Sequence, residues 1–523
     1  MSTDKSLHPD SHSAIIRSSS VIAAGTLASR ILGFIRDVIL ARILGTGVRA
    51  DAFFVAFKIP NLLRDLVGEG ATNSAVVPVF SEYLIKKERQ EFWNFVSVIF
   101  AMGLITLSAL TILGMIFAPL IVKVIAPGFA VETGKMELTI RLTRIMFPYL
   151  ILIGVTAYSM AVLYSFKMFT VPAFSPCLLN LAMIVSALAS PFLGVDPVYA
   201  LAVGTLVGGA LQLFVQQRAL AKTGMKFRWP KTFRHPGAEQ VGRLFLPRLF
   251  GSGIYQITVL VDTFCASLAH IVGPGGVSAL YYSNRIIQFP MGIFSLSMAS
   301  AALPTMSTLF STNDLGRLKK TIVFSLENNF FIMFPTGILT IILAEPIVRI
   351  LFQRGEFDAY STVITSGTLL FYGFGLFSFG GVKMLVAVFY ALQDTKTPVK
   401  VAALCLFINV VLDFVLIWPM KVMGIAMAGA VAATVNFLIL FYLLDKRLGG
   451  FNAEFRNFIA KVLFATTLTG VAVWEAWAFW HFPSELVKFA VVGSGGIVFY
   501  QGLCGVLGVE QARKILNWVF RRG

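Results

Sequence analysis

Residues 92–125 read FWNFVSVIFAMGLITLSALTILGMIFAPLIVKVI, thirty-four positions with one charge, Lys123. A helix needs only about 20 apolar residues to cross a bilayer's hydrocarbon core. A barrel strand would show alternation over about ten residues instead, so the run selects helices. The whole chain of 523 residues agrees: 57% are hydrophobic and 13% charged, where a soluble domain has about 25% charged. A soluble multi-domain enzyme is excluded, and 48 Phe, 7 Trp and 13 Tyr exclude a disordered chain. The fold class is an all-α polytopic membrane protein.

Turn and charge signals predict about 14 transmembrane helices, at 15–44, 48–84, 92–125, 137–165, 169–193, 197–220, 241–270, 275–310, 319–352, 359–391, 397–419, 423–444, 457–480 and 485–508. The second contains Pro60 and Pro78 and is expected to break. The first thirteen residues are polar and the first apolar run contains Arg30 and Arg36, unlike a cleavable signal peptide. Cys177, Cys265, Cys405 and Cys504 each stand alone in apolar text, and the five histidines are scattered, so neither a disulfide framework nor a zinc site is expected.

The net charge is +17, and its distribution reads as membrane orientation rather than nucleic-acid binding. With the N-terminus inside, one set of connections and tails collects 25 basic residues, including the loop from Arg218 to Arg234. The opposite set holds four: Arg49, Lys135, Arg354 and Lys421. That asymmetry places both termini in the cytoplasm.

One internal shift aligns the chain with itself. Ala161-Val162-Leu163-Tyr164 matches Ala387-Val388-Phe389-Tyr390 at an offset of 226. The same offset carries Pro172 to Pro398, Pro78 to Pro304, Ser81 to Ser307, Gly25 to Gly251, and residues 121–124 (IVKV) onto 347–350 (IVRI). Chance explains any one match, but not five regions sharing one ungapped offset. Six spans per copy make two six-helix lobes, related as parallel repeats, and such folds place the substrate path at the repeat interface. The expected organisation is a polar tail (1–14), an N-lobe (15–222), a basic cytoplasmic loop (223–240), a C-lobe (241–446), two added helices (455–508) and a basic C-terminal tail (509–523).

Charges deep in the spans carry the functional reading. Arg30, Arg36 and Asp37 lie in SRILGFIRD; Asp51, Lys58 and Arg64 in ADAFFVAFKIPNLLRDLVGEG; Arg285 in ALYYSNRIIQFP. Each costs about 2.5–3.5 kcal/mol at a helix centre, so seven facing lipid would cost about 20 kcal/mol. They must face water or one another, and some are structural ion pairs. Arg30, Arg36, Arg42, Lys58, Arg64 and Arg285 outnumber Asp37, Asp51, Asp65 and Glu69, so the cavity they line is net cationic. Guanidinium groups bind phosphate in bidentate fashion, which points to an anionic substrate, a phosphate or diphosphate. A second cluster is oxygen-rich: Asn409 and Asp413 share a helix face, with Asp262 in span seven and Thr434 in span twelve. Such ligands suit a hard cation, a Na⁺ or H⁺ coupling site; a hydrogen-bonded polar pin between helices is the alternative.

The stretch SRILGFIRDVILARILGTGVRADAFFVAFKIPNLLRDLVGEGA, with YYSNRIIQFPMGIFSLSMASAALPTMS and FYALQDTKTPVK, resembles the MurJ (MviN) family of lipid II flippases, within the multidrug/oligosaccharidyl-lipid/polysaccharide transporter superfamily. The resemblance spans nearly the whole chain. It implies a V-shaped pair of six-helix lobes in the bacterial inner membrane, moving the undecaprenyl-diphosphate-linked peptidoglycan precursor lipid II from inner to outer leaflet. It puts the family's cavity arginines at Arg30, Arg36, Arg64 and Arg285 and their acidic partner at Asp51; Lys58 and Ser278 are read as further substrate-binding cavity residues, and Asp37, Asp51 and Glu69 as the gate. It implies that the two added helices line a groove for the polyprenyl tail. No cofactor is expected beyond a coupling ion; the expected partners are lipid II, the bilayer and proteins of the divisome or elongasome. Asn284 and Gln288 stand where some relatives carry acids. A flippase for another polyprenyl-diphosphate oligosaccharide, such as an O-antigen unit, is the alternative. A membrane enzyme is disfavoured, because no D-x-D or clustered His gathers at one interface.

Overall fold

The computed structural model describes residues 9–64 and 73–520, and the elements within them are helical throughout. Asp65 and Glu69 lie outside the described residues, so the gate expected at Glu69 has no structural account. The chain divides into two compact units, Met1–Gln256 and Ile257–Gly523.

The first unit holds α1 (Pro9–Leu44), α2 (Val48–Arg64), α3 (Asn73–Lys86), α4 (Arg89–Ile116), α5 (Ala118–Ile125), α6 (Lys135–Met146), α7 (Tyr149–Ser165), α8 (Thr170–Ala189) and α9 (Pro197–Ala221). Helix α10 (Pro236–Ser267) contains the division, so the first half of the expected seventh span belongs to unit 1. The second unit continues with α11 (Ala269–Val272), α12 (Gly276–Pro290), α13 (Ser297–Ser311), α14 (Leu315–Ile342), α15 (Ala344–Phe352), α16 (Ala359–Ala391), α17 (Lys396–Met420) and α18 (Val422–Arg447). It ends with α19 (Ala453–Phe479), α20 (Glu485–Val506) and α21 (Glu510–Phe520).

Among the described residues, eleven helices or joined helix pairs are long and apolar enough to cross a membrane. The expected spans outside that set are one, two and seven. The first two carry Arg30, Arg36, Asp37, Asp51, Lys58 and Arg64, and the seventh carries Asp262. Helix α2 has 17 residues, and the seventh span carries the short apolar stretch Gln256–Ser267. Among the described residues of the second span, Pro60 lies inside α2 and Pro78 inside α3.

The duplication is visible in the helix boundaries. Shifting α4 by 226 residues gives both bounds of α14, and the last residues of α7 and α9 likewise become those of α16 and α18. The turn after α7 repeats as well. Lys167 has φ 57° and Gln393 φ 58°, left-handed positions that close a helix C-terminus without glycine. The amide of Met168 donates to the Leu163 carbonyl at 2.9 Å, and that of Asp394 to the Phe389 carbonyl at 2.9 Å. Asp394 then departs from its counterpart. Its carboxylate accepts from the Thr397 amide (3.0 Å), the Thr397 hydroxyl (2.8 Å) and Arg447 (3.0 Å). The Thr397 amide first, and Arg447 after it, hold this carboxyl below the usual carboxylate range.

Packing follows the same duplication. A Cβ on Gly154 of α7 would run into Leu107 of α4, and one on Gly380 of α16 would press on Met333 of α14 at 3.1 Å. Leu107 and Met333 are themselves 226 apart. Small residues at such crossings let backbones approach closely where no hydrophobic force drives helices together. Gly495 in α20 has open space around its Cβ direction. Gly154→Ala and Gly380→Ala are therefore expected to destabilise by about 1–3 kcal/mol through overpacking. Gly495→Ala should be neutral or stabilising by up to about 1 kcal/mol. Thermal unfolding of the purified variants in one detergent checks the contrast; equal effects at all three would refute it.

Candidate functional site

Arg36 sits on α1 with 4% of its surface exposed and Asp37 with none. Its Nε and Nη2 both donate to Asp37 Oδ1, at 3.0 and 2.7 Å. Nη1 donates to Asn180 Oδ1 on α8 at 3.0 Å and lies 3.7 Å from the Met183 sulfur. The Asn180 amide in turn donates to the Ser29 carbonyl at 3.1 Å. Adjacent residues on a helix do not face each other; the long Arg36 side chain reaches round to its neighbour because a buried charge without a partner is far costlier than the bend. The pair locks α1 against α8.

Asp51 is 1% exposed and is bound to Lys135 Nζ at 2.9 Å; Lys135, also 1% exposed, reaches Glu132 at 2.8 Å as well. The Phe129 ring lies 4.2 Å from the same ammonium. This cluster joins the first turn of α2 to the first turn of α6. Lys135 was expected only as a loop cation on the sparse side of the membrane; the structure makes it the partner of Asp51. Its signal in the sequence was faint, a lysine three residues after a glutamate. Asp37 and Asp51 are thus satisfied by different groups.

Arg30, Lys58 and Arg64 are partly exposed, as is Arg285 on α12. Ser278 is fully buried, and its hydroxyl donates to the Gly275 carbonyl at 3.1 Å in the first turn of α12. Gln288 donates to Asn284, so the two positions that replace acids form a neutral pair one turn apart. A π-helical turn at Met291–Leu296 follows Pro290, a local widening that recurs at functional sites.

In unit 2 the carboxyl groups of Asp262 and Asp413 are neighbours that repel electrostatically, and Asp413 is fully buried. Asn409, one turn earlier on α17 and 2% exposed, has both amide atoms without a partner among the described residues. Thr434 is turned toward α16: its hydroxyl meets Ser378 Oγ at 3.0 Å and donates to the Ala430 carbonyl. Asn409 and Asp413 share a face of α17 with Asp262 beside Asp413, whereas Thr434 is hydrogen-bonded to Ser378. No larger cluster of His, Cys, Asp or Glu occurs among the described residues.

The offset of 226 relates these two sites. It carries Arg36 to Asp262, Met183 to Asn409 and Ala187 to Asp413. Where unit 1 holds its own guanidinium against Asn180 and Met183, unit 2 holds acids and an amide.

An internally duplicated set of membrane-crossing helices with buried charges inside each half is the architecture of a secondary transporter. The family model for the lipid II flippase MurJ matches residues 40–492. A lipid II flippase MurJ of Burkholderia cenocepacia is 32% identical over 515 residues, covering 95% of this chain and 98% of that protein. A probable lipid II flippase MurJ of Haemophilus influenzae is 34% identical over 465 residues, 86% of this chain and 90% of that one. A solved lipid II flippase MurJ in an inward closed conformation superposes with TM-score 0.80 and 26% identity, covering 93% of this chain and 98% of its own. An inward-facing multidrug resistance MATE transporter of the MOP superfamily matches at TM-score 0.68 and 15% identity over 80% and 94%, a likeness of fold alone. The chain belongs to the lipid II flippase MurJ family, and is a multi-pass helical membrane protein of the kind that serves peptidoglycan synthesis.

Removing one partner from a buried ion pair costs about 3–5 kcal/mol, whereas removing both costs much less. Lys135→Met is therefore expected to lower thermal stability sharply, and Asp51→Asn with Lys135→Met to recover most of it. A double-mutant cycle on purified protein checks this; additive losses would show that the pair is not coupled.

Proposed function

We propose that the chain carries lipid II from the inner to the outer leaflet of the bacterial cytoplasmic membrane by alternating access, with both termini in the cytoplasm. The observation that carries this reading is the family likeness over residues 40–492. The charge pattern supports it: Arg30, Lys58 and Arg64 on α1 and α2, and Arg285 on α12, keep partial exposure within a chain of apolar helices. Each is a cation for the diphosphate, by bidentate contacts for the guanidinium groups. Arg36 is committed to Asp37 and Asn180 in this state, so its contact with cargo requires that pair to open, and we give the pair the role of a gate. Asp51 with Lys135 steadies the same end of α2. Helices α19 and α20 take the polyprenyl tail, with Phe464, Trp474 and Val498 on apolar outer faces.

Reset of the empty carrier is assigned to a Na⁺ or H⁺ bound by Asp262, Asn409 and Asp413, with Thr434 a further ligand only after a turn of its side chain. An ion that binds the folded state alone raises stability in proportion to its occupancy. Thermal unfolding in NaCl against choline chloride of equal ionic strength should show an upward shift for the wild type that Asp413→Asn abolishes. A shift that follows pH and not Na⁺ identifies the proton; no response to either removes the site.

The cargo is tested by depleting the native lipid II flippase of a bacterium and expressing this chain at matched membrane abundance. The wild type is expected to restore growth. Arg285→Ala should fail or lose at least about tenfold in flipping rate, the worth of a charge-assisted hydrogen bond. Failure of well-expressed wild type would move the cargo to another polyprenyl-linked sugar; full rescue by Arg285→Ala would remove that residue's role.

A further inference from the structure

The connection between α9 and α10 carries more than orientation demands. Lys226, Arg228, Lys231 and Arg234 are exposed and have no ion-pair partner among the described residues. Interleaved with them, Phe227, Trp229 and Phe233 are 48%, 57% and 41% exposed. Their rings pack edge to face in sequence, with centroids 6.2 and 6.3 Å apart. Cations alone would satisfy the orientation rule; three large aromatic rings turned outward in a row would not.

The base of the segment is fixed to unit 1. Arg89 donates to the Thr223 carbonyl at 2.7 Å, and the Arg228 amide donates to Ser97 Oγ at 3.4 Å. The His235 ring stacks on Phe95 at 4.9 Å and 12°, its Nε2 lies 3.1 Å from Glu91, and its Nδ1 accepts from the Gly237 amide. The acids at the base are engaged, Glu91 with His235 and Glu82 with Lys86 and Gln240. The exposed face is therefore both cationic and held in place. It begins just past α9, whose 25 residues span about 37 Å, beyond the hydrocarbon core of about 30 Å, so it emerges at headgroup depth.

We propose that residues 226–234 form a docking site for anionic lipid headgroups, with Trp229 and its two neighbouring rings seated in the membrane interface and the four cations binding the phosphates. The chemistry is complementary on both counts: aromatic rings favour the interfacial zone, and each Lys or Arg near an anionic surface strengthens binding about fivefold. The site recruits anionic lipid to the end of α9 and the start of α10. It needs the membrane location only and not the identity of the cargo, so it can fail while the transport reading stands.

Two measurements on the full chain test it. Native mass spectrometry of the protein with phosphatidylglycerol or phosphatidylethanolamine of matched acyl chains should show a preference of at least about tenfold for the anionic lipid. Replacing Lys226, Arg228, Lys231 and Arg234 together by Gln should abolish it, while Arg228→Lys with Arg234→Lys retains it. In lipid nanodiscs, brominated lipid should quench a fluorescence component that disappears in Trp229→Phe. A preference unchanged by the Gln variant overturns the site. A Trp229 component that brominated lipid leaves unquenched also overturns it, and points to an acidic protein partner in solution.

Discussion

The burial of charge in helices that cross hydrocarbon governs the rest of this protein. Arg36 and Asp37 occupy a helix that must insert, and neither could do so alone at tolerable cost. Their mutual bond, extended through Asn180 to Ser29, makes the position of α1 against α8 a condition of neutrality. The same logic places Asp51 against Lys135 and Glu132. Each cluster fixes a helix contact that apolar packing, which in lipid has little preference between one greasy neighbour and another, would leave open.

Duplication then allows one framework to hold opposite charges. The left-handed turns at Lys167 and Gln393, the bounds of α4 and α14, and the close approaches at Gly154 and Gly380 are retained across 226 residues. The polar contents diverged. At the Arg36 position the second copy has Asp262, and at Met183 and Ala187 it has Asn409 and Asp413. Backbone packing demands shape, which the repeat conserves, while the polar residues it encloses have diverged.

Much of this was legible in the sequence, for reasons that differ by feature. Helical class, span positions and the repeat rest on hydropathy and on an ungapped offset, both of which survive without knowledge of contacts. The partnership of Arg36 with Asp37 was half visible, since the residues adjoin, but Asn180 lies 144 residues away and nothing local announces it. Lys135 was misjudged because charge counting treats every lysine near a helix end as solvated, and only tertiary packing puts Asp51 and Phe129 around it. The Ser278 hydroxyl donates to the Gly275 carbonyl at the start of α12, a local bond that residue type alone does not announce. Thr434 lies in span twelve as one of the oxygen-bearing candidates yet turns to Ser378, a choice of rotamer that no periodicity encodes.

The asymmetry between the two copies bears on how such a carrier could run in one direction. The Arg36 guanidinium is balanced by Asp37, and on our proposal the pair opens when the cargo's diphosphate takes the place of Asp37. At the Asp262–Asp413 site, on our proposal, the balance comes from an ion that arrives and departs. An anion-exchanging locus in one half and a cation-exchanging locus at the equivalent place in the other would let cargo and ion act on corresponding helix pairs, α1 with α8 and α10 with α17. Either event alters the neutrality that holds its own pair together, and a ligand can shift a conformational equilibrium only through such a difference in affinity between states.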